Sequence, residues 1–162
     1  MPVSPAYRPE PRFFDLGADY GDAVKAADFP QTILRLRNEV FVVEQKCIYQ
    51  DIDGQDLLGD THHLMAWKDD ELVAYLRLLD PDTQGGDVVV GRVIVAPAAR
   101  GTGLGHRLMV EALKQIDDIW PDTPIFLCAQ AHLQGYYARY GFLVAGEEYL
   151  EDDIPHIGMR RA

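Results

Sequence analysis

Apolar and polar positions follow two rhythms along this chain, and each change of rhythm marks an expected element. Ile33, Leu36, Val40 and Val43 recur at helical spacing, which predicts a helix with one buried face over residues 30–44. Asp28-Phe29-Pro30 opens it, with a proline where the missing N–H costs nothing. Residues 62–67 and 71–79 read as a hairpin around Lys68-Asp69-Asp70. Val88–Val95 is apolar almost throughout, predicting a central strand buried on both faces. Helical spacing returns with Leu104, Leu108, Met109, Ala112 and Leu113, giving a helix that runs to about Ile119. After the breaker Trp120-Pro121-Asp122-Thr123-Pro124 come a buried strand over 125–129 and a short helix over 132–140 closed by Gly141. Two strands, 143–149 and 156–160, end the chain around the acidic turn Glu151-Asp152-Asp153. At the other end, residues 1–12 are proline-rich and read as a lead-in. Residues 12–16 read as an edge strand, and 17–28 as a loop with one helical turn. This order predicts one α/β (α+β) domain, a mixed, mostly antiparallel sheet with helices on its faces.

Between the central strand and the long helix lies Arg100-Gly101-Thr102-Gly103-Leu104-Gly105. Three glycines on alternate positions bare the backbone, and the helix start leaves its first N–H groups without partners. The pattern predicts an anion site suited to a phosphate or pyrophosphate. It is not a nucleoside-triphosphate loop, because Gly86 and Gly91 are followed by Arg92-Val93, without the lysine and hydroxyl. It also fits a dinucleotide fingerprint poorly, since the third glycine comes one residue early and the next strand ends in Gln130, not an acid.

Composition narrows the field. In 162 residues, 48% apolar and 25% charged, there is room for one ordinary core. The net charge of −11 argues against nucleic acid and is compatible with a cationic substrate or with simple solubility. No apolar run is long enough for a membrane span, and no export signal opens the chain, so a cytoplasmic setting is expected. Two cysteines make neither a disulfide framework nor a metal pair; Cys128, inside an apolar strand, reads as core filler, and no metal is expected. The segment from Cys47 to Asp60 carries Asp51, Asp53 and Asp56 and reads as a solvated loop or an acidic lip on a cleft.

The loop resembles the coenzyme A pyrophosphate loop, Arg-x-x-Gly-x-Gly, of the GNAT (GCN5-related N-acetyltransferase) family, with Arg100, Gly103 and Gly105 in the motif positions. Tyr136-Tyr137-Ala138-Arg139-Tyr140-Gly141-Phe142 is similar to that family's C-terminal signature. The block from Leu36 to Gln45, the Asp51–Asp56 cluster, His62-His63-Leu64 and Ile154–Met159 resemble its ElaA-like branch. The resemblance implies the GNAT fold, with two central strands, Val88–Val95 and 125–129, parting so that the pantetheine arm of acetyl-CoA, as co-substrate, enters the gap. It further implies transfer of an acetyl group to an amine, carried by a small molecule or a peptide.

Carried onto this chain, the resemblance makes Tyr137 the general acid; Tyr136 and Tyr140, four apart on one helical face, read as aromatic packing. It assigns coenzyme binding to Val93, Ile94, Val95, Arg100, Gly101, Thr102, Gly103, Leu104, Gly105, His106 and Tyr137. An oxyanion donor is expected from the backbone near Ile94 or Val95, and Arg107 or Arg139 are candidates for the ribose phosphate. For the general base, Glu44 and His63 are the leading candidates, beside His62 and His156. Arg92, a cation inside an apolar strand, requires a carboxylate, Glu44 being one candidate, or marks the acceptor pocket. Two alternatives remain open. Arg37-x-x-Val40-Phe41 before an Asp-rich stretch also resembles acyl-homoserine lactone synthases, whose use of acyl-carrier protein counts against that reading. A non-catalytic coenzyme A sensor is the other. The chain is expected to act as a monomer or homodimer, without nucleic acid or membrane.

Overall fold

The computed structural model describes residues 12–16, 31–47 and 49–162. The expected lead-in, the 17–28 loop and the helix start at Asp28-Phe29-Pro30 lie outside the described residues. In chain order the elements are β1 (Arg12–Leu16), α1 (Gln31–Arg37), β2 (His62–Lys68), β3 (Glu71–Leu79), β4 (Val88–Val95), α2 (Leu104–Ile119), β5 (Ile125–Gln130), α3 (Gln134–Ala138), β6 (Leu143–Val144), β7 (Tyr149–Glu151) and β8 (Ile154–Arg161). The strands form one sheet in the order β1-β2-β3-β4-β5-β8-β6, with β7 also paired to β8. Every pairing is antiparallel except β4 with β5, the pair that α2 connects. Asp69 and Asp70 turn the β2–β3 hairpin with φ of 49° and 62°, the mirror-type turn that matches strand twist.

Alternate strand residues face opposite sides, so the sheet carries two cores. On one side Leu64, Leu76, Leu78, Val88, Val90 and Leu127 meet the stripe Leu104, Leu108, Met109, Ala112 and Ile116 of α2. On the other, Met65, Leu72, Tyr75 and Ile94 meet Ile33, Leu36 and Val40. Each fully buried Leu, Ile or Met contributes roughly 1.5–3 kcal/mol. These two layers fix the ends of β4 and α2 in space, and with them the loop between.

Three expectations change. The helix over 30–44 is α-helical only to Arg37; Asn38–Glu44 winds as a wider π-helical turn, with the Gln45 N–H bonding the Val40 carbonyl at 3.0 Å. A π turn takes an extra residue, which swings Val43 off the buried face to 64% exposure. The strand expected over 143–149 is broken at Gly146, whose φ of 137° does not suit a ladder, into β6 and β7. The helix over 132–140 is shorter than expected, a 3-10 turn at Ala131–Leu133 leading into the five-residue α3.

Candidate active site

The parting of β4 and β5 follows from their pairing. They join only at Val88↔Ile125 and Val89↔Phe126, whereas β5 pairs with β8 along all six of its residues. Against β3, Tyr75 faces Ile94 and Arg77 faces Gly91, so Arg92 and Val93 share the single opposite residue Leu76. That is a β-bulge, and Arg92 takes it with a φ of 52°. A left-handed non-glycine residue costs on the order of 1–2 kcal/mol and persists only where its surroundings hold it. The bulge bends β4 away from β5 and opens a cavity of about 490 Å³, walled by Gly91, Arg92 and Val93 on one side and Leu127, Ala129 and Tyr137 on the other. Beyond Val90 only Ile94 is buried; Gly91, Arg92, Val93 and Val95 are partly covered, rather than buried on both faces as the apolar run suggested.

What holds the bulge is a buried network of three arginines and three aspartates. Arg37, fully buried, reaches Asp56 at 2.7 Å and Asp51 at 3.0 Å. Arg77 binds Asp53 twice, at 2.7 and 2.9 Å, and Asp56 at 3.3 Å. Arg92 lies 2.9 Å from Asp51 and 3.3 Å from Asp53, with Tyr49 against its guanidinium. The segment read as a solvated loop or acidic lip is therefore an anchor whose carboxylates point inward. Glu44 is not the partner of Arg92. It pairs with Arg100 at 2.8 Å, and its side chain is 38% exposed.

His63 is drawn into the same network. With 2% exposure, its Nε2 donates to the Asp56 carbonyl at 2.7 Å, and its Nδ1 accepts from the Tyr75 hydroxyl at 2.6 Å. Desolvation pulls its pKa down to about 4, which keeps it neutral at physiological pH. Both nitrogens of His63 are engaged, and neither His63 nor Glu44 is among the residues that line the cavity. His62, the neighbouring candidate, bonds Asp60 at 3.1 Å. Cys128 also departs from expectation: it is exposed, because its face of β5 opens toward the cavity.

The glycine loop sits between the end of β4 and α2. Gly101 and Gly103 have φ of 77° and 79°, and nothing lies within 4 Å of where a Cβ would stand on either. The Arg107 N–H bonds back to the Gly103 carbonyl at 3.2 Å; among the described residues, none of the N–H groups from Gly101 to His106 donates to a backbone carbonyl. These donors crown a 16-residue helix, the positive end of its dipole. Thr102 Oγ1 donates to the Ala99 carbonyl at 2.6 Å, and Arg100 Nε to that of Val95 at 3.1 Å, tying the loop to the strand. His106 meets the Tyr140 hydroxyl at 2.9 Å, and Tyr140 reaches Tyr136 at 3.3 Å, so these two tyrosines brace the loop. Arg107 lies over the Phe13 ring rather than beside the loop.

Tyr137 faces the cavity, 8% exposed, its ring edge-on to Tyr136 and Phe142. Its hydroxyl has no hydrogen-bond partner among the described residues, and burial pushes its pKa up to about 12. Burial thus keeps the phenol protonated at neutral pH. Val93 and Tyr137 line the same cavity, with the bare loop at the far end of β4. Among the described residues, no three His, Cys, Asp or Glu side chains gather as a metal site would need, and no helix is long and apolar enough to cross a membrane.

Sequence reasoning missed the inward role of Asp51, Asp53 and Asp56 and the cavity positions of Cys128, Tyr149 and Glu151. Only the coincidence of an Asp-rich loop with a strand arginine hinted at the first.

The profile of the acetyltransferase (GNAT) domain matches residues 25–162. Protein ElaA of Escherichia coli is 55% identical over 129 residues, which cover 80% of this chain and 84% of ElaA. The crystal structure of an acyl-CoA N-acyltransferase from Pseudomonas aeruginosa superposes with a TM-score of 0.86 at 57% identity, covering 94% of this chain and 99% of that one. A coenzyme A-dependent acyl-homoserine lactone synthase, solved with SAM and isopentyl-CoA, shares the fold with a TM-score of 0.73 at 17% identity, covering 93% and 82% of the two chains. That synthase takes coenzyme A, so use of a carrier protein does not separate the two classes.

Proposed function

The chain belongs to the GNAT acetyltransferase family, in its ElaA-like branch, and is an acyltransferase; from that premise we propose that it moves an acetyl group from acetyl-CoA directly to the amine of a small acceptor. The observation that carries the reading is the run of bare N–H groups from Gly101 to His106, set beside a strand that parts from its neighbour after Val89. The loop suits a diphosphate, and the gap suits an extended arm carrying amides that pair with the free edge of β4.

Transfer asks for a neutral amine, a stabilised oxyanion and a protonated leaving thiolate. In this reading, main-chain N–H groups of β4 beyond the bulge polarise the thioester carbonyl. Tyr137 then gives its proton to the departing sulfur. The bulge at Arg92 aims the strand, and the arginine–aspartate network keeps it aimed. Arg100 acts through its backbone and by clamping the loop to Val95 and Glu44. An acyl-CoA co-substrate accords with the cytoplasmic setting expected from the sequence.

The test is thiol release from acetyl-CoA with a panel of polyamines, amino acids, aminosugars and peptide N-termini. Turnover with any amine, and its acetylated product by mass, is the expected result. Turnover only when S-adenosylmethionine supplies the amine points to a lactone-synthase-like enzyme. Tight coenzyme binding with no turnover would leave a sensor module.

A further inference from the structure

The cavity has a second polar wall at the end of the sheet, built by β5, β7 and β8. A two-residue turn, Asp152 and Asp153 with φ of 51° and 60°, joins β7 to β8 and places Tyr149 opposite His156. His156 is paired on its other side with Gln130 of β5. Tyr149, Glu151, Asp152 and His156 all line the cavity that Tyr137 enters.

The ring of His156 is fixed in both orientation and tautomer. Its Nδ1 lies 2.7 Å from the carbonyl of Ile154, and a carbonyl only accepts, so Nδ1 carries the proton. Nε2 is left with a lone pair, 3.8 Å from Glu151 Oε2. Tyr149 stacks on the ring at 6.0 Å. The imidazole thus offers a basic nitrogen whose protonated form meets a carboxylate already in place.

Charge at the cavity points to the ligand. Arg77 and Arg92 also line it, but Asp51, Asp53 and Asp56 neutralise them. Glu151 and Asp152 line the other end, and among the described residues neither makes an ion pair with a lysine or arginine. Such a site favours an acceptor arriving as a primary ammonium ion, the ordinary state of an alkylamine at neutral pH.

We propose that His156 is the general base, its Nε2 taking the proton from the acceptor ammonium with Glu151 as counter-ion, so that acceptors are primary alkylamines entering from the β7–β8 end. This rests on the acyl-transfer reading above. The step balances. His156 takes one proton from the ammonium and later returns it to solvent through the exposed rim. The freed nitrogen pair forms the C–N bond while the carbonyl π pair moves to oxygen. Collapse breaks the C–S bond, Tyr137 protonates the thiolate, and the tyrosinate recovers a proton from the nitrogen of the intermediate. The products are the amide, free coenzyme A and one proton.

The test is thiol release by the full chain with two probe amines, propylamine, charged at neutral pH, and hydroxylamine, mostly neutral there. His156→Gln should lower kcat/KM for propylamine about a hundredfold or more and change the hydroxylamine rate less than tenfold. The KM for acetyl-CoA should stay within about twofold, since His156 lies away from the pyrophosphate loop. Glu151→Gln, an exposed change that leaves the fold alone, should lower kcat/KM for propylamine by about three- to tenfold, because the histidinium loses its counter-ion, and leave the hydroxylamine rate nearly unchanged. Parallel losses for both amines, or no loss for either, overturn the assignment while leaving acyl transfer standing. Wild-type protein that releases no thiol above background with these probes or the amine panel overturns both.

Discussion

Replacing Asp53 by Asn removes the carboxylate that holds the two arginines nearest the bulge. Asp53 takes Arg77 through two bonds, 2.7 and 2.9 Å, and lies 3.3 Å from Arg92. Desolvation pushes its carboxyl upward, but the bonds from Arg77 outweigh that and hold it at about 2, against an ordinary 3.8. A drop of that size corresponds to roughly 2 kcal/mol of stability at neutral pH. The side chain is only 22% exposed, so solvent screening removes little of it. A depressed carboxyl stabilises the fold above its unfolded value and loses that contribution as pH falls from 3.8 toward about 2. In the variant, Arg77 keeps one carboxylate contact, Asp56 at 3.3 Å, so the total loss at pH 7 is about 2–4 kcal/mol. Urea unfolding, followed through Trp67 and Trp120 fluorescence, measures it. The midpoint should fall at pH 7, and the gap to wild type should narrow below pH 4. With Arg92 less firmly held, kcat/KM should drop at least about tenfold in the protein that remains folded. Equal midpoints at pH 7, or a gap that persists unchanged in acid, would refute the reasoning.

Three further outcomes can be measured. Gly103→Val forces a β-branched residue into a φ of 79°, costing about 1–2 kcal/mol of stability, and fills open space beside the bare N–H groups. Its affinity for acetyl-CoA in calorimetry should fall more than about tenfold, and unchanged affinity would count against the loop. Tyr137→Phe should bind acetyl-CoA normally and lose about 100-fold or more in kcat; undiminished turnover would return Tyr137 to packing alone. His63 is held neutral by burial with its pKa near 4, against 6.5, so the unfolded chain takes up the proton first. The stability that His63 contributes is full above pH 6.5 and drains as pH falls toward 4. His63→Gln should therefore flatten the slope of stability in that window, by on the order of 2–3 kcal/mol in all; a slope that stays as steep would place the titration elsewhere.

Much of the frame is legible in the sequence because it rests on local rules. The α2 stripe, the β2–β3 hairpin turn and the glycine loop each express backbone geometry within a few neighbouring residues. The parting of β4 and β5 came from the family resemblance, and the bulge at Arg92 now supplies its mechanical cause. What could not be read is long-range. Arg37 and Arg92 find Asp51 across 14 and 41 positions, and no spacing rule links them. The need of Arg92 for a carboxylate was clear from burial cost, but the choice among acids was not, and Glu44 was the wrong one. The partners of His63 were equally out of reach: the Asp56 carbonyl and the Tyr75 hydroxyl that take up its two nitrogens lie 7 and 12 positions away. Cys128 was misread because an apolar run does not say which of its two faces meets a cavity.

The most direct test of the central claim is an amide NMR titration of the full chain with acetyl-CoA. Resonances of Gly101 to His106, and of β4 from Gly91 to Val95, should move together and saturate at one stoichiometric equivalent. Shifts confined to other parts of the sheet, with the loop and the free edge of β4 silent, would contradict it.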